Sequence, residues 1–451
     1  MQHHTSNFFD ILPNELIADI FFFARDMPFS HHIPLPVVVS YVCRRFRDVA
    51  LSSPQLWTLI NLSSERSFSF APLFIDRSKP LLLDLNISTD FEKTDVSSLS
   101  SEITGRACSI HIRLDYLTEY HDYCKVLASN PVTNLTTLTL ESCYSKLDWV
   151  CRHPTVHFPV VKDAVSLRSM SLKGTCSQIA PPLCGLTHLE IHEFSPTFPE
   201  FCSVFASNPN LSTLCLPKFL PVDWEEYSPI DASSLRSLSI GCSMHWGTGM
   251  CKCMLSALQL ENLEYLEIYG NLSEHVANHF SRNNGLQKVR TLRLADVRME
   301  DLRECAAALE GVTRVELADV VGFIFFLKTP SAADEVLYFP KLNSLIYDDI
   351  DLMNEREVNI ICSRGITGLS RVEIPVVLQD FSNEDMEAKL RASGIDMVFI
   401  DTNDFPGLLR LTYESEYDDT DSDAEDFWQA SDDYDYDEDD DFDDEWDEEE
   451  Y

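Results

Sequence analysis

A chain of 451 residues with 45% hydrophobic content has ample apolar material for two or three domains or for one long repeat array. Its formal net charge of −40 makes it a poor electrostatic match for nucleic acid, and no stretch approaches the roughly eighteen uninterrupted apolar residues of a membrane span. The N-terminal MQHHTSNFFDILPNE lacks a basic n-region and a clean apolar h-region, and 14 cysteines are scattered singly, so the expected setting is reducing, cytoplasmic or nuclear.

The first predicted elements lie between Asp10 and Trp57. In Leu12-Pro13-Asn14-Glu15-Leu16 the proline suits a first helical turn, and the glutamate favours the positive helix N-terminus. Leu16, Ile17, Ile20 and Phe21 then fall on one helix face. Beyond Met27–Pro36 a second face follows in Val38, Val39, Val42, Cys43 and Phe46, with Arg44, Arg45 and Arg47 beside it. Ser53 as N-cap with Pro54 behind it predicts a third, short helix into Leu56-Trp57. Three short helices cannot bury this much apolar surface among themselves, so the segment reads as a docking module.

The same residues carry a resemblance. Leu12-Pro13-x-Glu15-Leu16, Ile20-Phe21, Val42-Cys43-Arg44-Arg45-Phe46-Arg47-x-Val49-Ala50 and Pro54-x-Leu56-Trp57 together resemble an F-box of the kind found in fungal proteins. The resemblance spans residues 8–60 and implies docking on a Skp-family adaptor, and through it on the cullin of a cullin–RING ubiquitin ligase. It implies adaptor contacts at Leu12, Pro13, Glu15, Leu16, Ile20, Phe21, Val39, Val42, Cys43, Arg44, Phe46 and Trp57. The loop from Pro28 to Pro36 is expected to add little.

Residues 61–80 read as a helical linker, with Phe68, Phe70, Leu73 and Phe74 forming a helix that ends before Pro80. From 81 to 411 one phrase dominates, apolar-x-x-apolar-x-apolar. It begins as Leu82/Leu85/Ile87, recurs as Ala107/Ile110/Ile112 and Leu135/Leu138/Leu140, and ends as Ile395/Val398/Ile400, thirteen occurrences in all. Between phrases, helical stripes are expected at Leu302, Cys305, Ala306 and Leu309 before Gly311, and at Met386 and Leu390 before Gly394. Two segments share wording, Val126-Leu-Ala-Ser-Asn-Pro131 and Val204-Phe-Ala-Ser-Asn-Pro209.

A strand plus a helix of this size cannot bury its apolar side alone, so neighbouring units must stack. The array resembles leucine-rich repeats, although the usual Asn or Cys after the last core position occurs only as Cys143 and Asn271. The backbone groups of the turns must then be satisfied in another way. The expected fold class is α/β: a three-helix F-box, an irregular leucine-rich-repeat solenoid, and a disordered acidic tail at 412–451. A sandwich or a compact α/β domain is the alternative for the middle region. The tail has 23 Asp/Glu and no Lys or Arg from Glu414 to Tyr451, with aromatics such as Phe427, Trp428 and Trp446 interleaved. Such dense like charge disfavours a compact unit.

Catalytic chemistry is not visible. His188 and His192 sit in a strand phrase, where i, i+4 side chains are about 13 Å apart and cannot share a metal. Cys242, His245, Cys251 and Cys253 lack the usual knuckle spacing. No phosphate loop, nucleophile elbow or dinucleotide fingerprint is present, and neither cofactor nor metal is expected. Recognition is what the pattern supports. Alternate strand positions line the concave face of a solenoid, and His188, His192, Tyr265, Tyr269, Arg293 and Arg314 are the candidate substrate-binding residues there. The expected function is the non-catalytic substrate receptor of a Skp–cullin–F-box ligase, monomeric within the complex, with no nucleic-acid or membrane partner. Two alternatives stand beside it. One is an adaptor-binding protein outside any ligase. The other is an acidic protein resembling the acidic leucine-rich nuclear phosphoproteins, binding histones or other basic partners through its tail.

Overall fold

The computed structural model describes residues 11–25, 33–63, 65–89, 101–114, 127, 129–142, 164–176, 184–194, 197–219, 228–241, 257–270, 284–295, 297, 306–318, 320, 327, 338–347, 355–375 and 384–400. The chain divides into two units, Met1–Leu408 and Leu409–Tyr451, and every described residue belongs to the first. The acidic tail, the Cys242–Cys253 cluster and residues 26–32 therefore lie outside the described residues.

Helix α1 spans Asn14–Arg25, with Pro13 immediately before it and the Pro13 carbonyl accepting the Ile17 N–H at 3.2 Å. The single helix expected around Val38–Phe46 is two, α2 (Leu35–Val42) and α3 (Arg44–Ser52), because Cys43 between them is extended at φ −156° and ψ 169°. Cys43 Sγ caps α3 by accepting the Phe46 N–H at 3.4 Å, while Arg47 Nε donates to the Ser40 carbonyl at 2.8 Å near the end of α2. The third expected helix is a 3-10 turn, Pro54–Trp57, and the Ser53 side chain makes no capping bond there.

Strand β1 (Leu59–Leu62) leaves that turn directly and was not foreseen in the sequence. Helix α4 (Glu65–Arg77) matches the linker expectation. The strands then follow in chain order: β2 (Leu83–Thr89), β3 (Ala107–Leu114), β4 (Thr137–Ser142), β5 (Ser169–Cys176), β6 (His188–Phe194), β7 (Thr213–Leu216) and the short β8 (Lys218–Phe219). After these come β9 (Ile230–Asp231), β10 (Ser237–Gly241), β11 (Leu258–Gln259), β12 (Tyr265–Tyr269), β13 (Thr291–Ala295), β14 (Arg314–Ala318), β15 (Ser344–Tyr347), β16 (Arg371–Pro375) and β17 (Asp396–Ile400). Fourteen of them, β1 to β7, β10 and β12 to β17, lie side by side in one parallel sheet in the order of the chain. The sheet is not closed into a barrel: β1 and β17 are its two ends. Strand β8 adds to β6, and β9 pairs with β11 apart from the main sheet.

All thirteen phrases lead into strands of this sheet. From β3 to β16 their apolar residues stack in register across neighbours, as in Leu238↔Leu266↔Leu292↔Val315, and are buried. Each fully buried Leu or Val contributes about 1.5–3 kcal/mol, so the shared interior is the main source of stability. Two phrases were misaligned. In β17 it is Met397 and Phe399 that align with the buried Val372 and Ile374, whereas Val398 and Ile400 align with Glu373 and Pro375 and stay partly exposed. In β2 the first position slips by one. Leu82 is exposed, and Leu83 enters the interior in its place through a register shift between Leu83 and Asp84.

The turns before the strands obey a rule that the short phrase omitted. The first apolar residue of a phrase donates its N–H to the carbonyl three residues earlier, as in Leu135→Val132, Leu235→Ala232, Val289→Leu286, Val312→Leu309 and Leu342→Phe339. Those earlier residues are buried too. The next residue then bonds backbone to backbone with the preceding unit: Thr136→Cys108, Arg168→Thr136, Thr187→Arg168, Ser212→Thr187, and so on to Asp396→Ser370. Hydroxyls double this ladder, with Thr136, Thr187 and Ser212 Oγ atoms donating to the same carbonyls at 2.9–3.2 Å. This is how the backbone groups of the turns before the strands are satisfied.

Helices between strands are fewer than one per unit among the described residues. Beside α4, between β1 and β2, they are α5 (Ser101–Arg106), α6 (Phe198–Ser207), α7 (Glu355–Gly365) and α8 (Glu384–Ala392). The stripe around Met386 and Leu390 is α8, closed by Gly394 at φ 78°. Of the stripe before Gly311, Ala306–Leu309 forms a 3-10 turn, and residues 301–305 are outside the described set. Gly311 is required by crowding, since a Cβ there would lie 2.1 Å from the Gln287 carbonyl oxygen. The shared wording at Asn208 has a clear role. Its buried amide donates to the Val204 carbonyl at 2.8 Å and accepts the Leu186 N–H at 2.8 Å, tying α6 to the turn before β6.

Candidate functional site

Two surfaces emerge from this frame. The first is on the N-terminal helices. Ile17, Ala18 and Phe21 of α1 face inward, and Phe21 meets Phe46 edge-to-face at 5.1 Å. Leu16, Ile20 and Phe23, spaced i, i+4, i+7, point outward at 48%, 44% and 75% exposure. Val38, Tyr41 and Val42 do the same on α2. Nine of the thirteen exposed large hydrophobic side chains among the described residues belong to Ile11–Leu51, so unburied apolar surface is concentrated here.

The N-terminal helices are tied to one another and to the segments on either side of β1 by contacts unrelated to that face. Arg45 reaches from α3 to Asn14 Oδ1 at 2.9 Å and to the Leu12 carbonyl. Arg25 donates to the Gln55 carbonyl and to Thr58 Oγ1 at 2.9 and 2.8 Å. Trp57 is 1% exposed: its Nε1–H donates to the Ala50 carbonyl at 2.8 Å, Phe74 packs on it at 5.1 Å, and the Arg77 guanidinium lies 4.6 Å from its ring. Of the residues expected to touch an adaptor, Pro13, Glu15, Leu16, Ile20, Val42, Cys43 and Arg44 are exposed, and Leu12 and Phe46 are partly so. Phe21, Val39 and Trp57 are corrected to interior positions, because the apolar residues of a small module must first build its own core.

The second surface is the polar face of the sheet, opposite the apolar interior. Between β3 and β6 glutamates alternate with imidazole and lysine side chains. His111 meets Glu141 at 3.2 Å, Lys173 lies 3.6 Å from Glu190, and His192 Nε2 is 2.8 Å from Glu190 Oε1. Ser171 Oγ donates to Glu190 Oε2 at 2.5 Å. Burial works against the Glu190 carboxylate, yet the bonds from His192 and Ser171 and the Lys173 charge outweigh it and hold its pKa at about 2. Burial pushes the His188 pKa down, against the pull of Glu190.

A second chain runs from β12 to β16. Glu267 faces Arg293 Nε at 3.1 Å, Arg293 Nη1 lies 3.7 Å from Glu316, and Glu316 faces Arg314 Nε at 2.9 Å. Arg314 crosses β15 to meet Glu373 through both terminal nitrogens at 3.1 and 3.2 Å, and Arg371 Nε closes the chain on Glu373 at 2.9 Å. Three arginines thus face three glutamates.

No protein-family model matches the chain, and no curated protein matches it.

The geometry alone therefore sorts the six sequence candidates on this face. Arg293, 8% exposed between two carboxylates, is a buried structural cation and not an open contact. Arg314 is half-committed in the same way. His192 is engaged by Glu190, and Tyr265 OH donates to Glu267 Oε2 at 3.4 Å. His188, Tyr265 and Tyr269 are partly exposed. The partners that decide this, Glu190, Glu267, Glu316 and Glu373, were signalled by their alternation with the arginines. Their burial was not. Among the described residues no cluster of three or more His, Cys, Asp or Glu could hold a metal, and no helix is long and apolar enough to cross a membrane.

Proposed function

We propose that this chain is the substrate-recognition subunit of a Skp–cullin–F-box ubiquitin ligase, with an F-box at residues 8–60 and a leucine-rich-repeat solenoid behind it. The observation that carries the reading is the apolar surface left open on α1 and α2, on an N-terminal module whose last turn leads directly into a long parallel sheet. The strand order, each strand beside its predecessor in the chain, is what a stacked repeat array produces. In this reading Leu16, Ile20, Val42, Cys43 and Arg44 meet the adaptor, and the polar face of the sheet presents the substrate to the ligase's ubiquitin-charged subunit. Catalysis is then proximity, supplied by other subunits.

Co-purification with a Skp-family adaptor tests it. The intact chain should retain the adaptor, and Leu16→Asp with Val42→Asp should abolish retention without shifting the melting temperature. Failure of the intact chain to retain an adaptor that a known F-box captures overturns the reading. A second reading has its own observation, the 23 acidic residues of Glu414–Tyr451. If that segment is the functional element, its deletion removes binding to histones or other basic proteins and leaves adaptor retention intact.

A further inference from the structure

One row of the polar sheet face carries no formal charge across eight neighbouring strands. At the strand starts, Ser109, Thr137, Ser169, Thr213, Ser237 and Thr291 stand in register, with His188 and Tyr265 completing the row on β6 and β12. Every member is partly exposed. The hydroxyls one residue earlier, on Thr136, Thr187 and Ser212, are spent on backbone carbonyls of the preceding unit. Among the described residues, no side-chain hydrogen bond engages the six hydroxyls of the uncharged row. They are half-exposed, aligned and uncommitted.

The charges around the row are answered from within. Beside it, Glu190 is held by Ser171, Lys173 and His192, and the arginines of β13, β14 and β16 are paired with Glu267, Glu316 and Glu373. A phosphate or a run of carboxylates would compete with Glu267, Glu316 and Glu373 for these arginines, and drawing Arg293 away would leave buried glutamates uncompensated. A basic segment would face the same cost at the carboxylates. An uncharged polar segment meets six hydroxyl groups that donate and accept without rearrangement.

We propose that this row seats an extended, uncharged, hydrogen-bonding peptide segment of the substrate, a proposal that rests on the receptor function above. Eight strands at about 4.8 Å span about 34 Å, which an extended chain covers in about ten residues. The chemistry selected is Ser, Thr, Asn, Gln and Tyr side chains and free backbone amides, and phosphorylation of the segment would weaken binding.

Fluorescently labelled synthetic peptides of ten residues test it against the intact chain by fluorescence polarisation. Three pools share a Ser/Thr/Asn/Gln/Tyr background: one uncharged, one with four phosphoserines, one with four lysines. The uncharged pool should bind at least tenfold tighter than either charged pool. Thr213→Arg with Ser237→Arg should reduce that binding tenfold or more. The gentler pair Thr213→Val with Ser237→Ala, which removes hydroxyls without adding bulk, should reduce it several-fold. Ser212→Ala, whose hydroxyl serves the turn ladder, should leave it unchanged.

Preference for either charged pool, absence of binding by all three, or undiminished binding in both variant pairs overturns the proposal. Adaptor retention is measured on the same preparations. Retained adaptor with no peptide binding defeats the row and leaves the receptor reading standing. Lost adaptor with neutral-peptide binding intact defeats the receptor reading and leaves the row.

Discussion

Arg314 and Glu373 are joined by two hydrogen bonds of 3.1 and 3.2 Å over the top of β15, the strand that separates them. Ser344 on that intervening strand adds a third bond to Glu373 at 3.3 Å. Register places Arg314 beside Ser344, a small residue, and the long arginine uses the gap. Removing one partner leaves a carboxylate that is 5% exposed with less compensation. Arg314→Met should therefore cost about 3 kcal/mol, at the low end for a buried pair because Arg371 remains on Glu373. Glu373→Leu alone should cost a similar amount, and the double variant markedly less than the sum. A urea-unfolding double-mutant cycle measures this, and simple additivity would show that the pair is not coupled.

Glu190 predicts how the sheet responds to acid. Its folded pKa of about 2 lies below the ordinary value of 4.5, so its contribution to stability is complete above about pH 5 and is lost as pH falls toward 2. A displacement of this size corresponds to about 3 kcal/mol. Glu190→Gln should be less stable than the parent at pH 7, and the difference should vanish by pH 2. Thermal unfolding across that range checks it; a constant gap would place the role of Glu190 elsewhere.

The strands were legible because their interior pattern is strictly local: Leu238 and Ile240 bury on one side, and the residues between them face the other. The helices of the middle region were less so. Of the stripe Leu302, Cys305, Ala306 and Leu309, only Ala306–Leu309 lies among the described residues, and it makes a 3-10 turn. On the candidate surfaces, residue type was readable and commitment was not. Arg293 is an exposed-type residue at an outward strand position, and only the register that sets it between Glu267 and Glu316 reveals it as buried. Likewise Leu16 and Ile17 are adjacent and equally apolar, yet one is 48% exposed and the other 1%. A one-residue offset around a helix, not composition, separates the exposed face from the core.

That distinction gives opposite outcomes for two aromatic changes on the N-terminal module. Trp57→Ala removes the packing on Phe74, the Arg77 contact and the bond to Ala50. It should cost about 3–5 kcal/mol and disconnect the helices from the sheet. Phe23→Ser removes a side chain that is 75% exposed and should change stability by no more than about 0.5 kcal/mol. Chemical denaturation separates them: equal losses would mean that the outward face of α1 is covered within the chain itself.

Asn208 offers the most local test of how units are fastened. It occupies the turn position that is Val, Ala, Leu or Phe in other units, and it is the polar exception there at 1% exposure. Both functions of its amide are used, the nitrogen on the Val204 carbonyl at the end of α6 and the oxygen on the Leu186 N–H of the preceding turn. Asn208→Ala leaves a buried donor and a buried acceptor without partners and should cost about 1–3 kcal/mol. Asn208→Asp keeps the acceptor for Leu186 but loses the donor and buries a charge, so it should be the more damaging at neutral pH and recover toward the alanine variant in acid. Hydrogen exchange at the Leu186 amide reads the clasp directly. Protection there should fall with Asn208→Ala while the Leu266 and Leu292 amides, several units away, keep theirs.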